Sequence, residues 1–380
     1  MSGAVTDGLL RWVEIDTRAL QHNVRTMRAL LRPSTRVMAM VKSDGYGHGA
    51  VTVARAAHGA GATWLGVYTP DEALALRAAG IDGRMLVTGW SPPSTVGETL
   101  AHDVDLSICD LHDVSVISEA AQARAARVHV KLDTGLGRLG LREDEIDSLA
   151  TALRDARGRL EVAGIFTHFA EPDDVEFTTV QHQRFAAWAA RLRVVAPEAV
   201  LHAGNSEAII TAPETQHDIV RVGIATYGYI SASRDVLASL RPVMTMRARV
   251  AQVKRVPSGE PIGYGRTWSA PTDRWIATVA AGYGQGIPRL LSNSGQLVVN
   301  GRRVPIVGTV SMDQVTVDVT DVMPVAAGDI AMVFGERDGV RLGAHEVAAL
   351  AGTISYEVLT GVPQTVARVV TGDGDASAVL

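Results

Sequence analysis

A lysine at the end of an apolar run, followed by three glycines within the next seven residues, is the stretch where chemistry can be built: Met38-Ala39-Met40-Val41-Lys42-Ser43-Asp44-Gly45-Tyr46-Gly47-His48-Gly49. An amine held in partly desolvated surroundings loses some of its proton, becomes nucleophilic and can form a Schiff base with an aldehyde. Further polar residues close other apolar runs downstream: Lys131 with Asp133 and Arg138, then His168, Asn205 with Ser206, and Arg221. Singly, each has an ordinary reading. A lysine can snorkel out of a strand end, a histidine can be hydrogen-bonded in a core, and Asn205-Ser206 can cap a helix. Together they put basic groups at successive strand ends, where mutual repulsion disfavours them unless an anion is bound. Ser206 offers a hydroxyl at the start of a helix, and Val222-Gly223-Ile224 lets a backbone approach the same anion. A phosphate beside a Schiff-base lysine points to pyridoxal phosphate.

The elements that position these residues alternate. Strand-like runs are expected at 36–42, 64–67, 84–88, 105–108, 128–132, 162–167, 200–203 and 219–222, with helical stretches such as 71–79, 111–125, 144–157 and 174–195 between them. Short apolar runs bounded by turn residues are the pattern of strands buried on both faces. Eight such strands predict an α/β fold with a (β/α)8 barrel over 1–240, with an open doubly wound sheet as the alternative. Asp16-Thr17 is expected to cap a helix carrying Leu20, Val24, Met27 and Leu31 before Pro33. Past residue 240 the rhythm changes to strands at 243–256, 275–280, 296–299, 304–307, 315–319 and 329–334. Ser294-Gly295 and Asn300-Gly301 supply turn signals among them. With a short helix near 354–360 and a last strand at 366–370, residues 241–380 form a mostly β second domain, and the Gly/Asp-rich tail from Thr371 is expected to fray.

Composition narrows the class. At 380 residues with 47% hydrophobic and 20% charged residues, the chain is that of a globular protein with more than one core. A net charge of −5 without basic tracts gives no reason to expect nucleic acid. The single Cys109 forms no internal disulfide, and no Cys/His cluster has metal-ligand spacing, so no metal is expected. No signal peptide and no run long enough to span a bilayer are present, which places the protein in the cytoplasm.

Val41 to Gly49 resembles the cofactor-lysine signature of bacterial alanine racemases, a fold-type III pyridoxal phosphate family. The similarity continues through Lys131-Leu-Asp-Thr-Gly-Leu-Gly-Arg138, Thr167-His-Phe-Ala, Asn205-Ser-Glu, Val220-Arg-Val-Gly-Ile224, Gly263-Tyr-Gly-Arg, Ala281-Gly-Tyr283, Ser311-Met-Asp-Gln and Ser355-Tyr-Glu. The resemblance implies racemisation of alanine, supplying D-alanine for peptidoglycan. Lys42 would carry the cofactor and serve as one base, and Tyr264 as the other. Tyr46, Asn205, Ser206, Gly223, Ile224 and Tyr356 would hold the cofactor, chiefly its phosphate. Arg221 would sit at the pyridine nitrogen, backed by His168. It further implies a homodimer in which Tyr264 reaches the other subunit's site with Met312 near the substrate. Arg138 would lie near substrate and cofactor, with a carbamate on Lys131 pairing with it, and Tyr283 and Asp313 would line the entrance. A guanidinium does not readily give up its proton, so it leaves the ring nitrogen unprotonated.

The chain departs from the family where Ser43 and Gly45 replace the commoner Ala, where Ser311 replaces Cys, and where Gly284-Gln285 replaces Ala-Asp. The last change leaves a serine or broad-specificity racemase as the first alternative. A fold-type III decarboxylase normally carries a glutamate where Arg221 stands, and the small barrel proteins that only bind pyridoxal phosphate lack the β domain.

Overall fold

A computed structural model describes residues 6–122, 124–231 and 234–372. The described residues divide into two compact units: Gln21–Gly45 with Ala50–Leu240, and residues 6–20 with Tyr46–Gly49 and residues 241–372. The first strand, β1 (Arg11–Asp16), belongs to the second unit.

The next eight strands build the first unit: β2 (Arg36–Met40), β3 (Trp64–Val67), β4 (Arg84–Val87), β5 (Leu106–Ile108), β6 (Ala126–Lys131), β7 (Leu160–Phe166), β8 (Val200–His202) and β9 (Ile219–Val222). All pair in parallel, in two four-stranded arcs ordered β4-β3-β2-β9 and β5-β6-β7-β8. Two single bridges join the arcs, Leu86 to Asp105 and Asn205 to Arg221. The ring is thus a closed eight-stranded barrel with two thin seams, and the doubly wound alternative is set aside. The strands are short and almost wholly buried, as expected when helices cover one face and side chains fill the other. Inside, Trp64 meets His129 edge-on at 5.3 Å, and Phe166 stacks on His202 at 4.7 Å. The helix expected at 111–125 ends at Ala120, where Ala121 turns extended; residue 123 lies outside the described residues.

The second unit is mostly β. Its long strand β10 (Met244–Val256) pairs antiparallel with β1, with Ile330–Arg337 and, past a bulge between Val250 and Gln252, with Arg274–Val279. The other edge of β1 pairs in parallel with Ala367–Thr371. This corrects the expected boundary at 1–240: residues 6–20 belong with the β unit. Trp12, Val13 and Ile15 bury there against partners far along the chain, so no local pattern announces the strand. Asp16 caps the following helix (Thr17–Ala29) through the N–H groups of Arg18 and Ala19, as the sequence predicts. Asn300 and Gly301 both take positive φ, 50° and 71°, and close a two-residue hairpin that shifts the expected strand at 304–307 back to Arg302–Pro305. Ser294-Gly295 instead closes a turn onto the Leu291 carbonyl, and the helix Ala344–Ala351 has no counterpart in the sequence reading. Thr371 ends the last strand, and residues 373–380 lie outside the described residues.

Candidate active site

Strand β2 stops at Met40, two residues before Lys42, because the chain then winds left-handed. Ser43, Asp44, Gly45, Tyr46 and Gly47 have φ of 52°, 53°, 60°, 53° and 80°. Each non-glycine residue in that region costs roughly 1–2 kcal/mol, so neighbours must hold the turn. Gly45 N–H bonds the Val41 carbonyl at 2.8 Å, Asp44 Oδ1 accepts from Ala50 N–H at 2.9 Å, and Glu72 Oε1 accepts from Ser43 N–H at 2.6 Å. Glu72 also caps its own helix (Pro70–Ala78) through Thr69, so a helix start fixes the residue after the lysine. A Cβ on Gly45 would press on Val53 at 2.8 Å. Lys42 is half-buried with its Nζ 5.7 Å from the centre of the Tyr68 ring. Burial, with Arg138 and Arg221 nearby, pulls its ammonium below the usual range, although Glu72 opposes this. The amine is accordingly primed as a nucleophile and base.

Lys131 ends β6, buried, with Nζ donating to the Thr88 carbonyl at 3.3 Å. Burial pulls it down to about 8, helped by Arg138, Arg221 and Lys42. The buried Cys109 thiol beside it is pushed up to about 12, so it is neutral over this range and supplies no counter-charge. Asp133 does not pair with Arg138. Its Oδ1 accepts from Gly135 and Gly137 N–H, shaping the loop that presents the exposed Arg138, while its other oxygen lies 3.7 Å from Arg142.

Arg221, on β9, is buried, and both of its terminal nitrogens are engaged. Nη1 donates to the His202 carbonyl at 2.9 Å and to His202 Nδ1 at 3.0 Å. Nη2 donates to the carbonyls of Thr167 (2.5 Å) and Ala203 (2.9 Å) and to His168 Nδ1 (3.3 Å). Nε takes part in none of these. Burial lowers Arg221 to about 10. It also lowers His168 well below its usual value, with Arg221, Arg138, Lys131 and Lys42 adding to the effect, so His168 is neutral and accepts. Lys42, Lys131, Arg138 and Arg221 therefore form one mutually repelling cationic mouth, with the neutral His168 beside it. Ser206 Oγ accepts from Gly223 N–H at 2.9 Å, bringing the Gly223-Ile224 turn against its hydroxyl. Asn205 keeps its ordinary role: its Oδ1 accepts from Ala208 N–H at 3.0 Å. Glu72, His129 and His202 carry structure around this mouth that the sequence reading did not single out. The pattern Thr69-x-x-Glu72 was the available signal for Glu72, whereas a lone histidine within an apolar strand gives none.

In the second unit Tyr46 and Tyr356 lie with ring centres 5.9 Å apart. Tyr264 is 75% exposed and Met312 56% exposed, and Tyr264 shares a groove with Lys254, Thr278, Ser311 and Gln314. Tyr283 N–H and Gly284 N–H bond the carbonyls of Ser311 and Met312, at 3.0 and 2.8 Å, and a Cβ on Gly282 would collide with that same segment. Gln285 fastens the pair: its Oε1 accepts from Gly282 N–H and its Nε2 donates to Asp313 Oδ1, each at 2.9 Å.

The family models for the alanine racemase N-terminal domain and the alanine racemase C-terminal domain match residues 15–231 and 243–370. The chain belongs to the alanine racemase family. It is an amino-acid racemase, an isomerase. The alanine racemase of Desulfosudis oleivorans is 43% identical over 97% of this chain and 98% of its own. The crystal structure of the alanine racemase from Streptomyces lavendulae superposes with a TM-score of 0.91 at 39% identity, over 95% of this chain and 97% of that one. That from Bartonella henselae, which holds covalently bound pyridoxal phosphate, superposes at 0.85 and 26% identity, over 95% and 99%. Members of the family thus share both units in this order.

Proposed function

We propose that this racemase interconverts L- and D-alanine with pyridoxal phosphate, using Lys42 and Tyr264 as opposed bases. The observation that carries the reading is the cationic mouth: two depressed lysines, Arg138 and Arg221 crowd together, an arrangement that favours a bound anion. The residues fit the group. Lys42 would carry it through Nζ; Tyr46, Asn205, Ser206, Gly223, Ile224 and Tyr356 would hold it, chiefly at the phosphate; Arg221, whose Nε is left over, would donate at the ring nitrogen with His168 behind it. When bound, the cofactor withdraws electrons from Cα and stabilises the carbanion.

The chain's own groups then move the proton. Tyr264 takes the Cα hydrogen of the L substrate while Lys42 delivers one to the opposite face, and the roles reverse for the D substrate. Arg138 and Met312 position the substrate. Lys131, partly neutral near its value of about 8, is suited to add to carbon dioxide with loss of a proton, and the carbamate would neutralise Arg138. The exposed Tyr264 and Met312 support a homodimer in which each chain completes its partner's site, since an exposed tyrosine and methionine suit an interface. Among the described residues no helix is long and apolar enough to cross a membrane. We place the enzyme in the cytoplasm, supplying D-alanine for peptidoglycan.

Substrate choice rests on the entrance, where Tyr283 and Asp313 are expected. Gln285 bridges Gly282 to Asp313, whereas an aspartate there would be one methylene shorter and set two carboxylates near one another. Chiral chromatography after incubation with L-alanine, then L-serine, tests the reading. Alanine is expected to turn over faster. Gly284→Ala with Gln285→Asp is expected to shift the serine-to-alanine ratio several-fold, within the ~1–3 kcal/mol that small pocket changes discriminate. An unchanged ratio would remove the entrance from substrate choice.

A further inference from the structure

A buried guanidinium normally has a carboxylate beside it; Arg221 has carbonyls and imidazoles instead. Following its hydrogen bonds away from the mouth leads to the missing charge. Guanidinium nitrogens only donate, so His202 Nδ1, 3.0 Å from Nη1, must be the acceptor and its proton must sit on Nε2. His202 Nε2 lies 2.8 Å from His129 Nδ1, so His129 is likewise the acceptor there and carries its proton on Nε2. That nitrogen faces Asp105 Oδ2 at 3.4 Å, an electrostatic contact longer than a hydrogen bond, and neither atom has a hydrogen-bond partner of its own. Arg127 Nε donates to the other oxygen of Asp105, Oδ1, at 2.8 Å, and Arg84 Nη1 lies 3.6 Å from Oδ2. His129, His202 and the Asp105 side chain are wholly buried.

The barrel is built to admit this line. A Cβ on Gly164, opposite His129 across β6 and β7, would overlap the imidazole, and the pairing shifts register between Val128 and His129. Trp64 packs edge-on against His129 and Phe166 stacks on His202, fixing both ring planes. The ends of the line are the two seams: Asp105 forms the bridge between β4 and β5, and Arg221 the bridge between β8 and β9.

We propose that Asp105, His129 and His202 form a one-way donor relay across the barrel, which locks Arg221 as a donor in a single orientation and gives it a remote counter-charge. The proposal rests on the reading of Arg221 at the ring nitrogen and makes the three residues positioning residues. Both histidines must stay neutral for the line to run one way. For His202, burial together with His129 and Arg221 depresses protonation strongly. If the His202 proton moved to Nδ1, an N–H would point at an N–H of Arg221 and push the guanidinium from its seat, and if the His129 proton moved to Nδ1, it would meet the His202 Nε2–H and force that shift. An acid at a distance anchors the guanidinium without giving the ring nitrogen a proton source nearby.

Ring nitrogen-15 shifts of histidine-labelled holoenzyme, with kcat and KM for L-alanine, test the relay in wild type, Asp105→Asn, His129→Asn and the double variant. The wild type is expected to show His129 and His202 as Nε2–H forms. Asp105→Asn removes the charge at constant shape and is expected to mix the two forms and lower kcat roughly fivefold to thirtyfold, with KM little changed. In the His129→Asn background the line is already cut, so Asp105→Asn should cost nothing further. Nδ1–H forms in the wild type, an unaltered kcat in Asp105→Asn, or additive losses in the double variant would overturn the proposal. The wild-type shifts decide the protonation pattern even where a variant is too unstable to assay. They are read without turnover, so the relay can fail while the racemase reading stands, and the reverse.

Discussion

Lys42→Ala is expected to lose racemisation by roughly a thousandfold or more, the scale of removing a group that acts both as nucleophile and as acid–base. The effect should lie in kcat, because the other residues around the mouth remain. A chemical test accompanies it. The chain has three lysines, Lys42, Lys131 and Lys254. Two of them, Lys42 and Lys131, are depressed by burial and by neighbouring cations, so depression alone does not choose between them. What distinguishes Lys42 is its seat: it opens a left-handed turn pinned by Glu72, whereas Lys131 is buried and donates to the Thr88 carbonyl. Borohydride reduction of the cofactor-loaded protein, followed by peptide mapping, should place the pyridoxyl label on Lys42. A label on Lys131 or Lys254, or substantial turnover by Lys42→Ala, would overturn the assignment.

Lys42→Ala and Tyr264→Phe homodimers should each be nearly inactive, yet a mixture of the two, dissociated and reassociated, should recover roughly a quarter of wild-type activity. In a twofold dimer whose sites each take Lys42 from one chain and Tyr264 from the other, a mixed dimer has one doubly defective site and one intact site. Random pairing makes about half of the dimers mixed, and half of their sites work. If both residues belonged to one chain, every site would keep a defect. Recovery near zero, with subunit exchange shown independently by mass spectrometry, would refute the shared site.

Much of the barrel was legible because its strands are short, apolar and separated by turn residues. All eight lie within two residues of their expected starts and ends, and Lys42, Lys131, His168 and Arg221 gather around one mouth as successive strand ends predict. What was not legible depends on partners distant in sequence. Strand β1 pairs with Met244–Val256 and Ala367–Thr371, so its six residues read locally as little more than a lead into a helix. The glycines at 45, 47 and 49 announced a turn, but not that Ser43, Asp44 and Tyr46 would share its left-handed conformation, which tertiary anchors impose. Asp133 was read only as a polar residue at a strand end, and it organises the Arg138 loop because two glycine amides lie within its short reach. His129 and His202 gave no signal, since a polar residue in an apolar strand shows its purpose only once the ring has closed.

The two-base assignment is tested most directly by running L-alanine with the enzyme in deuterium oxide and isolating D-alanine at low conversion. Tyr264 would remove the original hydrogen on one face, and Lys42, whose ammonium hydrogens exchange with solvent, would deliver the new one on the other. Nearly all of the early D-alanine should carry deuterium at Cα. Early D-alanine that retained its original hydrogen would mean that one group carries the same hydrogen between faces, and would contradict the assignment of Lys42 and Tyr264 as opposed bases.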